Sequence, residues 1–534
     1  MDAVDARVSE ILATYNAERA DVGWLLCDRH PRDRRALTVV EENCSAVEFT
    51  YGDLADRSTR FAAVLSEHGV GPGDRVATVM GKSIDLVSVV LGIWRVGAVY
   101  VPLFTAFAAE AISSRLTEAS AVLVVADVDQ IGKVPDGPWL TVVAGGHGPE
   151  GLEARMRAAH PASSARVSVG GDGPLVHMFT SGTTGTPKGV VHPVSYIAGW
   201  HSYLEFALGV DDGGVFWSGA DPGWAYGLYT ALVAPLAAGV PTILLRGGFS
   251  AETTWTVLSD LEVTDFAAAP TVFRGLRASN APVPKNLSLK RLASAGEPLT
   301  PEVNEWTRGL LGLTVHDHYG QTELGMPIGY PHHPLLEQPV AAGAMGVALP
   351  GWSVTVLDRN DDVPVATGEM GRLAIVVADS SFMTFQSYAG GVSTDRFCSD
   401  GQYFVTGDTA SLDEASVVRF SSRDDDVIIM AGYRIGPFDI ESVLLRHPSV
   451  IEAAVIAAPD DVRGEVVEAF VVLSPGVPAS DDLADELKRW VKTNYAAHAY
   501  PRRIHFSELL PKTPSGKIQR NELRRRRSET NVSQ

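Results

Sequence analysis

Residues 53–68 carry Leu54, Phe61, Ala62 and Leu65 at helical spacing, which predicts an amphipathic helix. Gly69 and the turn Gly71-Pro72-Gly73-Asp74 close it. Arg75 to Met80 then reads as a short strand. The continuous apolar runs Ala121–Ala126, Leu140–Val143 and Pro241–Leu245 predict further buried strands, with helical patterns between them. The most apolar stretch, Leu86–Leu103, is interrupted by Arg95 and reads as a buried helix and strand rather than a membrane span. This alternation predicts an α/β fold with a large layered N-terminal domain.

Residues 425–534 follow a different pattern. A short helix at Ile440–His447, strands at Val450–Ala457 and Val466–Leu473, and an amphipathic helix at Asp481–Asn494 predict a small α+β C-terminal domain. The polar run Ser421-Ser422-Arg423-Asp424-Asp425-Asp426 places the boundary, giving domains 1–424 and 425–534. The basic cluster Arg524–Arg527 with its polar tail reads as a solvated, frayed end.

Composition narrows the function classes. The 534 residues include 64 acidic and 44 basic side chains, a formal charge of −20, which argues against a general binder of nucleic acid or anionic membrane. Any anionic substrate then needs a local cationic site. Cys27, Cys44 and Cys398 are odd in number and far apart, so neither a disulfide scaffold nor a typical zinc site is expected. With no basic-apolar leader at the start, a cytoplasmic protein without membrane insertion is expected.

Four segments carry candidate chemistry. Thr180-Ser181-Gly182-Thr183-Thr184-Gly185-Thr186-Pro187-Lys188-Gly189 follows a strand-like run, and its hydroxyls, glycines and lysine suit a polyphosphate. It is not a Walker A loop, because no Gly-Lys-Ser/Thr occurs at the required spacing. Asp317-His318-Tyr319-Gly320-Gln321-Thr322-Glu323 sets a carboxylate beside a hydroxyl, which suits nucleotide-borne Mg²⁺. In Tyr403-Phe404-Val405-Thr406-Gly407-Asp408, a carboxylate after a glycine can accept ribose hydroxyls. Pro511-Lys512-Thr513-Pro514-Ser515-Gly516-Lys517 projects a lysine from a tight turn. Read alone, the second and third would favour a plain structural turn, and the fourth would read equally well as an exposed one.

Together, in this order and spacing, these segments resemble the acyl- and aryl-CoA synthetase, adenylation-domain and luciferase superfamily of adenylate-forming enzymes. The resemblance also takes in Ser294-Ala295-Gly296-Glu297-Pro298-Leu299 and Gly343-Ala344-Met345-Gly346-Val347. The segments Gly432–Glu441 and Val462–Val467 are most similar to medium-chain acyl-CoA synthetases. Asp221-Pro222-Gly223-Trp224 is similar to the acetyl and medium-chain groups.

The resemblance implies roles. ATP, Mg²⁺ and CoA would be the cofactors, and a carboxylic acid the substrate. Thr180, Ser181, Gly182, Thr183, Thr184, Gly185 and Lys188 would hold the β- and γ-phosphates, Thr322 the α-phosphate and Glu323 the Mg²⁺. Gly296, Glu297 and Pro298 would line the adenine site, with Asp317, His318 and Tyr319 opposite, and the motif continues through Gly320 and Gln321. Asp408 with Arg423 would take the ribose, and Lys517 would bridge the attacking carboxylate and the α-phosphate. Asp425 matches a hinge about which a mobile C-terminal domain turns, withdrawing Lys517 and presenting the Gly432–Gly436 segment. Arg434, Arg463 and Lys492 match CoA contacts, while Glu468 stands where medium-chain relatives often carry Lys.

Two activities remain open: an AMP-forming acyl-CoA ligase, and a stand-alone adenylating enzyme that loads a carrier protein or another acceptor. In the acetate-specific branch a Trp precedes the Gln-Thr-Glu, and here that position is Gly320. An acyl pocket open past Gly320, with Trp224 as a wall, is therefore expected, favouring medium-chain fatty or aromatic acids.

Overall fold

The computed structural model describes residues 3–146, 148–160, 166–180, 188–211, 213–391, 395–423, 426–430, 433–460, 464–496, 499–513 and 518–532. The helix Tyr51–Glu67 forms where the 3.6-residue pattern predicts it. Its start is fixed by a capping box in which Thr50 and Asp53 exchange side chain–backbone bonds of 3.1 and 2.8 Å. Ser83 caps the next helix, Ile84–Arg95, which leads into the strand Val99–Pro102, so the Leu86–Leu103 stretch is a buried helix and strand. Arg95 is tolerated there because Asp28 accepts from it at 2.5 and 2.8 Å and Ser58 Oγ at 2.8 Å.

Two large sheets organise the N-terminal domain. One has six strands, with Arg75–Val79 between Ala121–Asp127 and Val99–Pro102, all parallel. The other has nine, and its centre is also parallel. Their strands alternate between two cores, as the period of two demands. Val39, Val76, Leu123 and Ala293 face the main core, which holds the helices Tyr51–Glu67, Ile84–Arg95 and Tyr196–Ser202. Val40, Phe266 and Leu292 face a second core with the helices Ala251–Asp260 and Pro301–Leu311. Ala77, Val101 and Val124 face a third with the helix Ala109–Ala119. The result is five layers: helix, sheet, helix, sheet, helix. A separate four-stranded antiparallel sheet ends in Tyr403–Leu412 and Val418–Arg423.

Residues beyond 425 have their own core, built on Ile428, Val455, Val467 and Leu487. Long antiparallel strands Val450–Asp460 and Gly464–Leu473 carry the helices Pro437–Leu444 and Asp481–Asn494. The first helix begins three residues before the expected Ile440, because Pro437 occupies its first turn, where its missing N–H costs nothing.

One expectation is corrected. Arg524–Arg527 is not a frayed end but part of the helix Arg520–Val532, anchored by buried Leu523. Arg524 pairs with Asp426 at 2.7 Å and Arg527 with Glu468 at 3.3 Å. Glu468 is itself buried. It is 3 % exposed, and His505 lies 2.8 Å away. Burial pushes its carboxyl up, but His505 and Arg527 more than offset this and hold it below the usual range. Among the described residues no helix is long and apolar enough to cross a membrane.

Candidate active site

The parallel strands Arg291–Ala295 and Val315–Gln321 lie side by side, with Ser294 opposite Asp317 and Ala295 opposite His318. Their carboxyl ends therefore deliver Gly296-Glu297-Pro298 and Gly320-Gln321-Thr322-Glu323 to one crevice, the usual ligand position on an open α/β sheet. Gly296 turns with φ +99°, a conformation side chains resist. Arg274 holds Glu297 Oε2 at 2.6 Å, while Glu297 Oε1 is buried with no donor. Asp317 is buried, and burial pushes its carboxyl up to about 8 against the pull of the Leu299 and His318 amides. It lines a cavity of ≈ 70 Å³ with Leu299, Asn304 and Ala341–Ala344.

His318 points elsewhere. Burial lowers its imidazole to about 3, so it is neutral. Its Nε2–H donates to Tyr330 O at 3.0 Å and its Nδ1 accepts from Tyr203 Oη at 2.7 Å. Both nitrogens are used inside the protein, so His318 supports its strand.

Asp408 comes from the four-stranded sheet, directly across from Arg423. Tyr319 Oη and Gln321 Nε2 both donate to Asp408 Oδ2, the latter at 2.9 Å, and Gln321 Nε2 also reaches Thr406 O at 2.8 Å. Burial raises the Asp408 carboxyl, while Tyr319 and Arg423 pull it back. With Oδ2 occupied by protein donors, Oδ1 is the oxygen able to accept from a ligand hydroxyl.

The strands Pro174–Thr180 and Lys188–Pro193 pair antiparallel with Thr180 opposite Lys188, so the segment between them starts and ends at one point. Ser181, Gly182, Thr183, Thr184 and Gly185 lie outside the described residues. Lys188 Nζ sits 4.8 Å from the centre of the Tyr388 ring, and Tyr388 Oη donates to Glu323 Oε1 at 2.8 Å. The Thr322 carbonyl accepts from His192 Nε2 at 2.7 Å and Tyr196 Oη at 2.9 Å, which pins this turn from below. Burial lowers His192 to about 3, and this neutral ring takes a bond from Tyr229 Oη at Nδ1. Tyr388, His192 and Tyr196 were not foreseen, since none belongs to a spaced motif.

Among the described residues no cluster of three or more His, Cys, Asp or Glu could hold a metal. A lone carboxylate such as Glu323 suits a Mg²⁺ that arrives on nucleotide phosphates and keeps its waters.

The remaining expected residues are dispersed. Lys517, Asp425 and Arg463, and the side chain of Arg434, lie outside the described residues. Lys492 sits in the last turn of Asp481–Asn494, 5.7 Å over the Tyr500 ring. Trp224 packs on Phe104 and Phe107, with centroids 5.1 and 5.5 Å apart, after a turn in which Asp221 Oδ1 accepts from Gly223 N at 2.8 Å. Gly320 is tightly enclosed: a Cβ there would lie 2.0 Å from Gly325 O and 2.4 Å from Met326 Sδ. A close strand approach demands glycine at this position, whatever space lies beyond it.

Comparison with known proteins agrees with this geometry. The chain matches the family model of the AMP-binding enzyme over residues 26–383 and that of the AMP-binding enzyme C-terminal domain over 439–517. It is 34% identical to the acetyl-coenzyme A synthetase of Bacillus subtilis, covering 89% of this chain and 85% of that one. A crystal structure of a Brucella canis acyl-CoA synthetase aligns with TM-score 0.76 and 42% identity, covering 98% of this chain and 97% of the other. A benzoate CoA ligase from Burkholderia xenovorans aligns with TM-score 0.83 and 28% identity over 95% and 100% of the two chains. The chain belongs to the AMP-binding enzyme family and is an AMP-forming acid–thiol ligase of the acyl-CoA synthetase type.

Proposed function

We propose that the enzyme uses ATP to activate a medium-chain fatty or aromatic carboxylic acid as its acyl-adenylate and then transfers the acyl group to CoA. The observation that carries this reading is the convergence of Lys188 and Glu323 on Tyr388, with Asp408 tied through Tyr319 and Gln321 to the same strand end. On this reading Thr180–Gly185 and Lys188 hold the outer phosphates, and Thr322 meets the α-phosphate. Gly296, Glu297, Pro298, Asp317 and Tyr319 enclose adenine, and Asp408 with Arg423 takes the ribose. Mg²⁺, bound with the nucleotide at Glu323, would neutralise phosphate charge.

The chemistry needs position and charge rather than a covalent enzyme intermediate. A carboxylate oxygen attacks the α-phosphorus, the bond to pyrophosphate breaks, and Lys517 stabilises the charge that develops. A CoA thiolate then attacks the acyl carbon and AMP leaves. Division into 1–424 and 425–534 with the hinge at Asp425 would let one active site serve both steps, and Arg434, Arg463 and Lys492 would meet CoA on a chain of net charge −20. The separate cores on either side of the boundary support that division, and the unpaired thiols suit a cytoplasmic enzyme.

A panel of acids read by pyrophosphate release, with and without CoA, tests the proposal. Acid-dependent pyrophosphate exchange without CoA, and acyl-CoA plus AMP with it, is expected. Exchange without CoA consumption would move the acceptor to a carrier protein, and no exchange with any acid would sink the adenylation reading.

A further inference from the structure

Tyr388 lies outside every motif the sequence displays, yet it touches two of the groups the reaction needs. Its hydroxyl donates to Glu323 Oε1 at 2.8 Å, and its ring lies under Lys188 Nζ at 4.8 Å from the centroid. These two residues come from different sheets. Lys188 begins the strand paired with Pro174–Thr180, and Glu323 follows the end of Val315–Gln321. Tyr388 itself precedes the short turn Ala389–Gly391, which packs on the Lys188–Pro193 strand. Its side chain is held in place: it is 5 % exposed and packs edge-on against Phe385 with centroids 5.2 Å apart.

We propose that Tyr388 is a positioning residue for the nucleotide-borne metal and its phosphates, fixing the Glu323 carboxylate by its hydroxyl and the Lys188 ammonium by its ring. The inference rests on the assignment of Glu323 to Mg²⁺ and of Lys188 to the outer phosphates. A carboxylate that must take a metal gains from a donor on one oxygen, because its rotation is stopped while the other oxygen stays available. Tyr388 is suited to this. An ordinary phenol keeps its proton at neutral pH, so its hydroxyl is a donor there. The same ring attracts the ammonium through its π face, which sets Lys188 at a defined distance from Glu323 without neutralising it. A carboxylate partner would pair with Lys188 and cancel the charge meant for phosphate; an aromatic face does not.

The test is binding without turnover, by calorimetry of ATP with no acid present and Mg²⁺ either titrated or removed by chelator. Tyr388→Phe keeps the ring and loses the hydroxyl. It is expected to raise the Mg²⁺ concentration needed for half-saturation by about 10-fold, as other outer-shell changes do. Its metal-free ATP affinity should stay within about twofold, with an unchanged melting temperature. Tyr388→Leu also removes the ring and should weaken metal-free ATP binding as well. Unchanged Mg²⁺ dependence in Tyr388→Phe, or an equal loss with and without metal, would overturn the proposal and leave Tyr388 as packing. The Phe variant decides this by itself if the Leu variant does not fold. A wild-type protein that binds no ATP in either condition would instead overturn the ATP assignment on which the inference stands.

Discussion

Gly320→Ala isolates what the tightest contact in the site does. The added Cβ would lie 2.0 Å from Gly325 O, against an ordinary contact of at least 3.4 Å. Met326 Sδ, at 2.4 Å, can swing aside on its flexible chain, but the Gly325 carbonyl is backbone and is paired with Gln321 in the antiparallel ladder. The two strands must therefore part by more than ~1 Å, an overpacking that costs about 1–3 kcal/mol and more where backbone is the obstacle. The displaced segment is the one that places Thr322 and Glu323, pinned by His192 and Tyr196. A shift of about 1 Å in such a group costs ~10²-fold in rate. Thermal melting and acid-dependent pyrophosphate exchange measure the two losses. Wild-type melting together with wild-type kcat/KM in Gly320→Ala would refute the reasoning. The same contact changes the expectation for Gly320→Trp. A pocket merely plugged by the indole would keep acetate and lose longer acids, whereas the observed packing predicts loss of both. Wild type should still favour hexanoate over acetate by about 3 kcal/mol, since each of four methylenes contributes ~0.8 kcal/mol when buried. A Gly320→Trp enzyme that turns over acetate efficiently would restore the simple plug.

Three further outcomes can be measured. Asp317→Asn should flatten the pH dependence of stability: the carboxyl, at 3.8 when exposed, is pushed to about 8 by burial, so the stability that goes with its neutral form is fully present below pH ~4 and declines as pH rises from there to ~8, where the folded carboxyl itself ionises. The variant should thus melt higher than wild type at pH 8 and similarly at pH 4, and identical pH–melting profiles would show that Asp317 does not titrate this way. If, as proposed, the small domain turns and withdraws Lys517 between the two steps, Lys517→Ala should slow adenylation by ~10²–10³ while sparing thioester formation from supplied acyl-adenylate; equal loss in both half-reactions would contradict the two-orientation scheme. Asp426 takes Arg524 at 2.7 Å and Arg520 at 3.6 Å, so Asp426→Asn should loosen the helix Arg520–Val532 from the start of the small domain at a cost of about 1–2 kcal/mol, and an unchanged melting curve would place that anchor elsewhere.

Elements and site were legible in different degrees, for physical reasons. Strands buried on both faces read as unbroken apolar runs, which is why Ala121–Asp127 and Thr242–Leu245 were visible in the sequence. The helix expected over residues 53–68 was placed to within two residues at its start and one at its end, although the caps Thr50 and Ser83 were not read from the sequence. The candidate ligand residues stood out because they cluster in short segments rich in glycine, hydroxyl and charged residues that carry no apolar period. Residues that act through tertiary contact left no such trace. Tyr388 falls in no spaced motif, and nothing near Glu468 in the sequence shows that His505 and Arg527 enclose it. Gly320 looked like an absent side chain, but the reason for its absence is a carbonyl five residues later.

The site uses one device twice. Glu323 and Asp408 each have a carboxylate oxygen bound by a phenol, from Tyr388 and Tyr319 respectively. Tyr388 is buried and Tyr319 half-buried beside these carboxylates, and desolvation together with the neighbouring charge raises both phenols and keeps the proton on the tyrosine. A lysine or arginine in the same place would orient the carboxylate equally well but would cancel its charge, and with it the attraction for a cation or a ribose hydroxyl. A phenol orients and leaves the charge in place. On the proposed assignment Lys188, which meets an aromatic face rather than a carboxylate, then keeps its charge for phosphate, and a chain carrying 64 acidic and 44 basic side chains needs such a local cation to accept a polyanionic nucleotide.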